Sequence, residues 1–376
     1  KYTTLEPFTA AGIAKASIGD KWGWVNTEGK EILKVNNTQI WDFNDEGLGK
    51  VLDAKGKYGY INAEGKKVVP FKNDYLDDFV GGLARAGVKG VRDEQGNYSD
   101  GMWGFYNAKG KAVVRVKYNY ADVYCNGLAR VSTGGTWTEG TYAGGKWGFV
   151  NVRGTMVVPA EYDAVEAFYQ GAAMVQKDGK YFWIGAEGKP ISEVTYDSVG
   201  EFNEAGVATA TIGEKVGYVN RGGVELLAVK YDEVGAWDAA GLSKIVLDGK
   251  CGWVDQSGKI VVAPKYEDVG EFTEDGLALV KVDGKYGYLN NKYREVIPAI
   301  YDIVGSFDKG IAKVSTGGKW GWIDVKGNEI TPVKYEEVGE WNDGVATVKA
   351  DGKWGFIDAK YDEIIPAIYE EVGQFV

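Results

Sequence analysis

The sequence has 376 residues, of which 44% are hydrophobic, 26% charged and 13% aromatic, which is typical of a globular chain with one large core or several small ones. A formal net charge of −11 disfavours a nucleic-acid partner, and the lack of histidine removes the commonest general base and metal ligand. No apolar run is long enough for a membrane-spanning helix, and the start KYTTLEPF has neither an initiator methionine nor a signal-type run. We therefore expect a soluble, trimmed or processed chain without membrane insertion.

An aromatic residue closes a recurring segment of the type YDEVGEF along the whole chain. Successive copies lie 34 to 36 residues apart, except for two intervals of 45 and 44 residues. The closing aromatics are Phe8, Phe43, Phe79, Tyr124, Phe168, Phe202, Trp237, Phe272, Phe307, Trp341 and Phe375. A fixed period of this kind indicates a repeat architecture. The sequence predicts a single array over 1–376 of ten repeats, with a capping strand at 1–8 and enlarged repeats at 79–123 and 124–167.

One complete repeat reads GLALVKVDGKYGYLNNKYREVIPAIYDIVGSF, residues 276–307. Its Asp-Gly pair between two alternating runs is the strongest short signal for a hairpin, and the Asn-x-x-Gly turn that usually follows fits a type I turn with a glycine bulge. The proline in VIP cannot donate to a ladder, so it places the third strand at an edge or at its end. Each repeat is therefore predicted to be a three-stranded antiparallel meander. The spacing by three in YDEVGEF does not fit simple alternation, and this segment is left unassigned.

The Asp283-Gly284 turn fixes the register of the predicted hairpin, so that Val280 faces Gly287 and Leu279 faces Tyr288. One face is then small and aliphatic, and the other carries both aromatics of the second strand. A lysine or arginine usually stands opposite the second aromatic, as at Arg85 and Arg130. We expect the aromatic face to pack between repeats, with a ring-lined ligand groove as the alternative.

The fold class predicted is all-β, with tandem antiparallel β-meander repeats that form an open β-solenoid or superhelix. A period near 35 residues is short for a four-stranded propeller blade, which usually takes about 40–50 residues. A propeller-like closed ring is the alternative.

The two enlarged repeats carry their extra residues in the same hairpin turn, at 88–104 and 132–148. Equivalent turns of neighbouring repeats lie side by side, so these insertions are candidates for one binding face. The candidate partner-binding residues are Arg92, Tyr98, Trp137, Glu139 and Tyr142, with Asp93, Glu94 and Asp100 beside them. On this hypothesis, replacing Trp137 and Tyr142 by alanine abolishes binding and leaves the melting temperature nearly unchanged. The alternative is that both insertions are tolerated surface excursions.

The sequence offers little for catalysis or metal binding. Adjacent acids such as Asp232-Glu233 recur in most repeats and are interpreted as a solvated face, not as a glycosidase pair. Asn replaces the turn acids in most repeats, which argues against calcium. Cys125 and Cys251 have no metal-ligand spacing and are expected to be packed thiols. We predict no catalytic residue, no metal and no cofactor, and a carbohydrate-active enzyme is the least favoured reading.

With GKWGFID, the Asn/Asp-x-x-Gly turn, VIP and YDEVGEF in fixed order, the chain resembles the bacterial WG-repeat (KWG-repeat) family along essentially its whole length. The resemblance implies a β-rich repeat scaffold, often secreted or in the envelope, without a general catalytic role. The expected function is a non-enzymatic binding or assembly scaffold of the bacterial cell envelope or exterior, which recognises a protein or glycan. The alternative is a structural subunit of a surface fibre or large complex that self-assembles. The expected location is secreted, periplasmic or cell surface.

Three departures from the repeat pattern are informative. Phe182 replaces the glycine of the WG motif, and Tyr293 and Tyr361 replace the turn glycine. A left-handed tyrosine costs about 1–2 kcal/mol, so we expect the turns at Tyr293 and Tyr361 to change type.

Overall fold

The computed structural model describes residues 1–92, 98–139, 141–341 and 344–373. These residues form strands and turns, and no helix occurs among them. The chain divides into two compact units, Lys1–Val199 with Arg221–Val224, and Gly200–Asn220 with Glu225–Val376.

The first unit holds sheets 1 to 5 and two short ribbons. Sheet 1 contains β1 (Thr4–Leu5), β2 (Ile13–Ile18), β3 (Lys21–Asn26) and β4 (Glu31–Asn37), and sheet 2 contains β5 (Gln39–Phe43), β6 (Leu48–Leu52), β7 (Tyr58–Asn62) and β8 (Lys67–Asn73). Then follow β9 (Tyr75–Leu76), β10 (Leu83–Val88), β11 (Val91–Arg92), β12 (Tyr98–Ser99), β13 (Met102–Asn107) and β14 (Ala112–Tyr118); β11 and β12 form the first ribbon and the other four form sheet 3. Next are β15 (Tyr120–Ala121), β16 (Leu128–Thr133), β17 (Thr136–Thr138), β18 (Thr141–Ala143), β19 (Lys146–Asn151) and β20 (Met156–Tyr162); β17 and β18 form the second ribbon and the other four form sheet 4. Sheet 5 contains β21 (Ala164–Val165), β22 (Ala172–Lys177) and β23 (Lys180–Gly185), and β24 (Ser198–Val199) is the last strand of this unit.

The second unit holds sheets 6 to 10. Sheet 6 contains β25 (Val207–Ile212), β26 (Lys215–Asn220) and β27 (Glu225–Tyr231), and sheet 7 contains β28 (Glu233–Trp237), β29 (Leu242–Leu247), β30 (Lys250–Asp255) and β31 (Ile260–Tyr266). Sheet 8 contains β32 (Asp268–Phe272), β33 (Leu277–Val282), β34 (Lys285–Asn290) and β35 (Glu295–Tyr301), and sheet 9 contains β36 (Ile303–Val304), β37 (Ile311–Thr316), β38 (Lys319–Asp324) and β39 (Glu329–Tyr335). Sheet 10 contains β40 (Glu337–Val338), β41 (Val345–Ala350), β42 (Lys353–Asp358) and β43 (Glu363–Tyr369).

The predicted hairpin register is confirmed in sheet 8. Val280 pairs with Gly287 and Leu279 with Tyr288. Asp283 and Gly284 have φ values of 47° and 77°, as a type I′ turn requires at both central positions.

The glycine of the WG motif allows the third strand to approach closely. A Cβ atom on Gly287 would lie closer to the carbonyl oxygen of Ile297 than the 3.0 Å below which real contacts essentially do not occur. At this point β35 carries an irregularity in its pairing with β34, and Pro298 lies within it. The third strand is the outer strand of the sheet, so proline costs no ladder hydrogen bond, as the sequence predicted.

The YDEVGEF segment, for which the sequence pattern predicts no element, forms a fourth strand. In sheet 8 it is β32, whose Val269 pairs with Val280 of the following hairpin. The register then shifts before Phe272, and this bulge explains why the apolar residues are spaced by three. A sheet therefore takes its first strand from the end of the preceding sequence repeat.

Consecutive sheets pack face to face within each unit. The aromatic face of sheet 8, with Tyr288 and Tyr301, meets the aliphatic face of sheet 9, with Ala312 and Val314. The same arrangement joins sheets 1 and 2, 2 and 3, 3 and 4, 4 and 5, 6 and 7, 7 and 8, and 9 and 10. The prediction that the aromatic face packs between repeats is thus confirmed.

The all-β fold class with tandem antiparallel repeats is confirmed, and inside each unit the sheets follow one another as in an open solenoid. The strand orders are linear, so no described sheet closes into a barrel.

A carboxylate between consecutive sheets links their hairpin turns. The ammonium of Lys285, which precedes the aromatic-glycine motif of sheet 8, pairs with Asp302. The other carboxylate oxygen of Asp302 accepts the amide of Gly317 in the turn of sheet 9 over 2.7 Å. Glu336 repeats this between Lys319 and Gly352. The recurring lysine and the recurring acid therefore link the hairpin turns of consecutive sheets.

The expectation that the tyrosine turns change type is wrong. Tyr293 and Tyr361 keep the left-handed conformation, with φ of 56° and 66°. The ring centroid of Tyr293 lies 4.6 Å from that of Trp253, and its hydroxyl donates to Asp238 Oδ2 over 2.6 Å. Contact with the preceding sheet therefore offsets the backbone strain.

The two cysteines differ. Cys251 is buried within the cluster between sheets 7 and 8, as expected for a position that other repeats fill with an aromatic. Cys125 is exposed, so the prediction of a packed thiol is wrong there, because Cys125 lies in a tight surface turn.

Candidate functional site

Both insertions fold as two-stranded antiparallel ribbons. In the first ribbon Arg92 pairs with Tyr98, and in the second Trp137 pairs with Tyr142. The structure thus brings the candidate residues together in two cross-strand pairs, with Glu139 exposed at the tip of the second ribbon at φ 50°. Asp93 and Glu94 lie outside the described residues.

The tyrosine on the second strand of each ribbon packs against two rings of the adjoining sheet. Tyr98 stacks on Tyr75 at 5.5 Å between centroids and meets the edge of Trp103 at 5.0 Å. Tyr142 lies 5.1 Å from Tyr120 and 5.6 Å from Trp147. The two ribbons are therefore seated in the same way.

A small residue under each ribbon makes room for this tyrosine. Gly87 pairs with both Tyr75 and Trp103, and a Cβ atom on it would overlap the Tyr98 ring. Ser132 occupies the same place in sheet 4, and its Oγ accepts the hydroxyl proton of Tyr142 over 3.0 Å. A tyrosine above a small residue, between two sheet aromatics, is the common feature of both repeats.

Arg92 and Trp137, the cross-strand neighbours of these two tyrosines, make equivalent hydrogen bonds. Arg92 donates through Nη2 to the carbonyl of Asp74 over 3.1 Å, and Trp137 donates through Nε1 to the carbonyl of Asn119 over 3.2 Å. The side chains of Asp74 and Asn119 in turn accept backbone amides from the start of each insertion. Because the backbone anchoring repeats as well as the packing, the two ribbons follow one plan.

Sequence reasoning missed Tyr75 and Tyr120, on which both ribbons rest. They stand two places after the first residue of the YDEVGEF segment, where other repeats have Gln39, Ala164, Ser198, Glu233, Asp268, Ile303, Glu337 and Glu371. Tyrosine at this place occurs only in the two segments that directly precede the enlarged repeats. That coincidence is the signal that could have identified them.

The candidate residues differ in their access to a partner. Arg92 and Glu139 are exposed and Trp137 and Tyr142 are half-buried. Tyr98 is only 7% exposed, and burial raises the pKa of its hydroxyl to about 12. Tyr98 is therefore a packing residue, and a ligand can reach only the open edges of the other rings.

This placement changes the expected effect of replacing Trp137 and Tyr142. The two rings pack on each other at 5.4 Å and both hold the ribbon by hydrogen bonds. Their removal would loosen the second ribbon and lower the melting temperature. The expectation of a stability-neutral double substitution is therefore withdrawn.

Arg92 joins a row of rings and cations that crosses from sheet 2 to sheet 3. Its guanidinium carbon lies 5.1 Å from the Tyr58 centroid and 5.2 Å from that of Tyr75. Lys50 continues the row over Tyr58 at 5.7 Å and over Trp41 at 5.4 Å. Such contacts contribute roughly 0.5–1 kcal/mol each at exposed sites. They hold Arg92 in place and leave it at the surface.

The arginines opposite the second aromatic connect consecutive sheets. Arg85 lies over the Trp103 ring at 4.5 Å, donates to Asp77 over 2.8 Å and donates to the Ala121 carbonyl of sheet 4 over 2.8 Å. Arg130 makes the corresponding bonds to Asp122 and to the Val165 carbonyl of sheet 5.

Phe182 opens a groove in sheet 5. The other described repeats have a small residue at this position. The Phe182 side chain holds the stretch between Ile191 and Tyr196 away from β23, and the two ends of that stretch bond to β23. The resulting groove of about 610 Å³ is lined by Phe182, Pro190, Ile191, Ser192, Glu193 and Thr195. Phe182, Pro190 and Ile191 supply its apolar lining, and Ser192, Glu193 and Thr195 supply polar groups.

Asp232 and Glu336 lie in environments that stabilise the carboxylate form. Lys215 holds the pKa of Asp232 below its usual value, and Lys319 does the same for Glu336. A general acid needs a raised pKa. Within the described ranges no group of three or more acids and cysteines is arranged to hold a metal ion. The described residues also include no helix with the length and apolarity needed to cross a bilayer.

A family model for the WG containing repeat matches nine segments: 22–53, 58–90, 103–137, 147–181, 217–251, 252–286, 286–320, 320–354 and 354–376. No curated protein matches the chain.

The similar solved structures are distant. A crystal structure of a eukaryotic initiation factor is 12% identical, with a TM-score of 0.28, over 84% of this chain and 94% of that chain. An extracellular domain of a putative hybrid two-component system from B. thetaiotaomicron is 11% identical, with a TM-score of 0.20, over 95% of this chain and 62% of that chain. PorZ, described as a surface component of the type-IX secretion system of Porphyromonas gingivalis, is 9% identical, with a TM-score of 0.19, over 93% of this chain and 61% of that chain. The chain thus spans less than two thirds of the length of the latter two structures.

Proposed function

Because the chain belongs to the WG-repeat family, whose model matches most of its length, we propose that it is a non-enzymatic binding scaffold of the bacterial cell envelope or exterior. The two ribbons form its principal binding surface, and the partner is a protein or a glycan. One observation carries the proposal: both insertions are anchored by the same set of ring, small-residue and carbonyl contacts.

This anchoring matters because it fixes the exposed side of each ribbon before a partner arrives. A surface that is already ordered loses less conformational entropy on binding than a loose loop. The first ribbon presents the exposed Arg92, and the second presents Thr136, Thr138, Glu139 and Thr141. Guanidinium, hydroxyl and carboxylate groups next to half-open rings suit an extended glycan or peptide, which is recognised by hydrogen bonds and ring contacts.

The proposed location rests on the family resemblance. The proposed lack of catalysis rests on the chemistry of the acidic residues. The envelope and exterior are where the family is expected, and the neighbouring lysines lower the pKa values of Asp232 and Glu336. These observations support a binding role over glycoside hydrolysis.

The test replaces Arg92 and Glu139, which are both exposed, and melting curves check that the first ribbon keeps its fold without the Arg92 bond to Asp74. Glycan and peptide arrays first identify a ligand that the unaltered chain retains. We expect Arg92→Ala with Glu139→Ala to lower the affinity for that ligand by about tenfold or more, as for residues that contribute about 1–2 kcal/mol to an interface. The matched control is Arg153→Ala with Glu28→Ala, an exposed pair of the same charges in ordinary repeat turns. Equal binding by both variants would contradict the proposal, as would an array on which the unaltered chain retains nothing.

The alternative function is a structural subunit of a surface fibre or large complex. It is supported by exposed apolar side chains outside the ribbons, such as Ile300 at 52% and Ile303 at 50% exposure. Concentration-dependent growth beyond a defined oligomer would favour this alternative.

A further inference from the structure

Two pockets of the same construction lie side by side along the first strands of sheets 3, 4 and 5. The first pocket lies between sheets 3 and 4 and has a volume of about 220 Å³, and the second lies between sheets 4 and 5 and has about 240 Å³. Val123 lines both pockets. Leu83, at the start of β10, lines the first pocket, whereas the first ribbon follows the end of β10 at Val88. The pockets are therefore adjacent to each other and distinct from the ribbons.

The aromatic lining comes from the same two positions of the repeat in both pockets. Phe105 and Phe149, the second aromatics of their hairpins, line the inner wall and are only 1% and 2% exposed. Tyr124 and Phe168, which close their YDEVGEF segments, line the pocket from the following sheet. Each pocket thus offers ring surfaces from two consecutive sheets.

An arginine–aspartate pair supplies the polar side of each pocket. Arg85 donates through Nε to Asp77 in the first pocket, and Arg130 donates through Nε to Asp122 in the second. Each arginine also donates through Nη1 to a carbonyl of the next sheet. A guanidinium has five N–H donors, so these two bonds leave donors for a ligand in the pocket.

This pair is confined to the two sheets that build the pockets. The residue opposite the second aromatic is an arginine only there, and the other hairpins have Lys15, Lys50, Met174, Thr209, Lys244, Leu279, Lys313 and Thr347. Aspartate stands two places before the closing aromatic only at Asp77 and Asp122. A pair required simply to stack sheets would recur along the array. Its restriction to two consecutive sheets favours a ligand that spans both.

The charges of the pockets disfavour an anionic ligand. Asp77 balances Arg85, and Asp122 balances Arg130. Asp78, which also lines the first pocket, pairs with Lys50 over 3.1 Å. A ligand carboxylate or phosphate would therefore meet carboxylates without a surplus of cations. Neutral groups that both donate and accept hydrogen bonds fit a guanidinium beside a carboxylate.

The strands beside the pockets disfavour an extended peptide. Such a peptide usually binds by pairing its main chain with a long exposed strand edge. The outer strands here are β9, β15 and β21, and each has only two residues. They offer no row of backbone groups long enough for this mode.

We infer that the two pockets form a binding site for a neutral oligosaccharide, with one sugar ring in each pocket. The apolar face of the sugar packs on the aromatic lining, and its hydroxyl groups bond to the guanidinium and the carboxylate. Both pockets are smaller than the roughly 300–1,000 Å³ of a site for a drug-sized ligand, so each takes a single ring. Stacked sheets lie about 10 Å apart, so an extended oligosaccharide can reach from one pocket to the next.

Protection of a thiol tests the inference with the full chain. Cys125 is exposed and lines the second pocket, whereas Cys251 is buried, so iodoacetamide should alkylate Cys125 first. The probes are cellohexaose and the hexamer of N-acetylglucosamine, with dissociation constants measured by calorimetry. At ten times its dissociation constant a probe leaves about one site in eleven free, so alkylation should slow about tenfold. Val80→Cys places a thiol at the equivalent position of the first pocket.

The length of the probe tests whether both pockets act together. A disaccharide fills one pocket, whereas the hexamer reaches both, so the hexamer should bind about tenfold or more tightly than the dimer of the same sugar. Equal affinity of dimer and hexamer would contradict a site that spans two sheets.

One substitution disturbs both pockets. Val123 is 55% exposed, so Val123→Glu should leave the fold intact and raise the dissociation constant of the hexamer by about tenfold or more. The matched control is Val152→Glu, an exposed valine in an ordinary turn of sheet 4. If Val123→Glu lowers the melting temperature, Arg85→Lys with Arg130→Lys replaces it, because lysine keeps the charge and loses the guanidinium fork.

Four results would overturn the inference: neither hexamer binds, a bound hexamer leaves Cys125 unprotected, Val123→Glu binds like Val152→Glu, or a peptide protects Cys125 where both hexamers fail. The inference does not rest on the ribbons. A hexamer that binds without protecting Cys125 would contradict the pockets and leave the proposed function of the ribbons standing, and protection of Cys125 by a chain whose ribbons retain nothing would do the reverse.

Discussion

The ring of Tyr98 fills the space that Gly87 leaves open on the face of sheet 3. The first ribbon therefore packs closely on sheet 3 because Gly87 has no side chain. The Tyr98 ring and the space above Gly87 are complementary in shape.

Gly87→Ala should unseat the first ribbon. The added methyl group overlaps the Tyr98 ring, and overpacking of this kind costs about 1–3 kcal/mol. Thermal unfolding measures the loss. Combining Gly87→Ala with Tyr98→Ala should cost less than the sum of the two single changes, because the clash is then absent. Strict additivity would show that the two residues do not share this space.

Gly287→Ala should destabilise sheet 8 by about 1–3 kcal/mol, because the new Cβ atom meets the carbonyl of Ile297 and presses the third strand away. Chemical denaturation gives the free energy of unfolding. Gly185→Ala is the matched control, since the nearest atom to its added Cβ lies 3.7 Å away. A Gly287 variant as stable as the control would contradict the close approach of the third strand.

Tyr293→Gly should lower stability although it removes a left-handed side chain. The backbone gains about 1–2 kcal/mol, whereas deletion of a packed aromatic costs about 3–5 kcal/mol. The net loss expected is about 2 kcal/mol, visible in denaturant unfolding. Tyr293→Phe keeps the ring on Trp253 and loses the bond to Asp238, so it should cost less. A gain in stability for Tyr293→Gly would show that strain outweighs the packing.

Stability should fall as the pH rises through the range from about 10 to about 12. Burial raises the pKa of Tyr98, Tyr288 and Tyr293 to about 12. Above pH 10 the unfolded chain therefore releases protons that the folded chain keeps, and unfolding becomes more favourable by about 1.4 kcal/mol per pH unit for each such tyrosine. Melting curves recorded with tyrosinate absorbance measure this dependence. Tyr288→Phe should reduce the slope, and an unchanged slope would contradict the assignment.

The sequence was informative wherever the local chain decides the structure. The Asp283-Gly284 turn and the alternation around it are enough to fix the pairing of Val280 with Gly287, because a two-residue turn admits one register. The fourth strand was not predictable in this way. Its bulge between Val269 and Phe272 removes the alternation by which strands are recognised.

The candidate site was predicted in location but not in orientation. The insertions marked 88–104 and 132–148 as exceptional, yet alternation along a ribbon does not tell which of its faces meets the sheet. The side chains of Trp137 and Tyr142 face the sheet because they pack on Tyr120 and Ser132, which lie on two other strands. The exposed residues Arg92 and Glu139 keep their candidacy for partner contact.

Asp302 is the single residue between the last strand of sheet 8 and the first strand of sheet 9, and its carboxylate links the hairpin turns of both. A connection this short has no slack, so one sheet cannot swing away or unravel without pulling on its neighbour. Under mechanical force we therefore expect several consecutive sheets to unfold together, and not one sequence repeat after another.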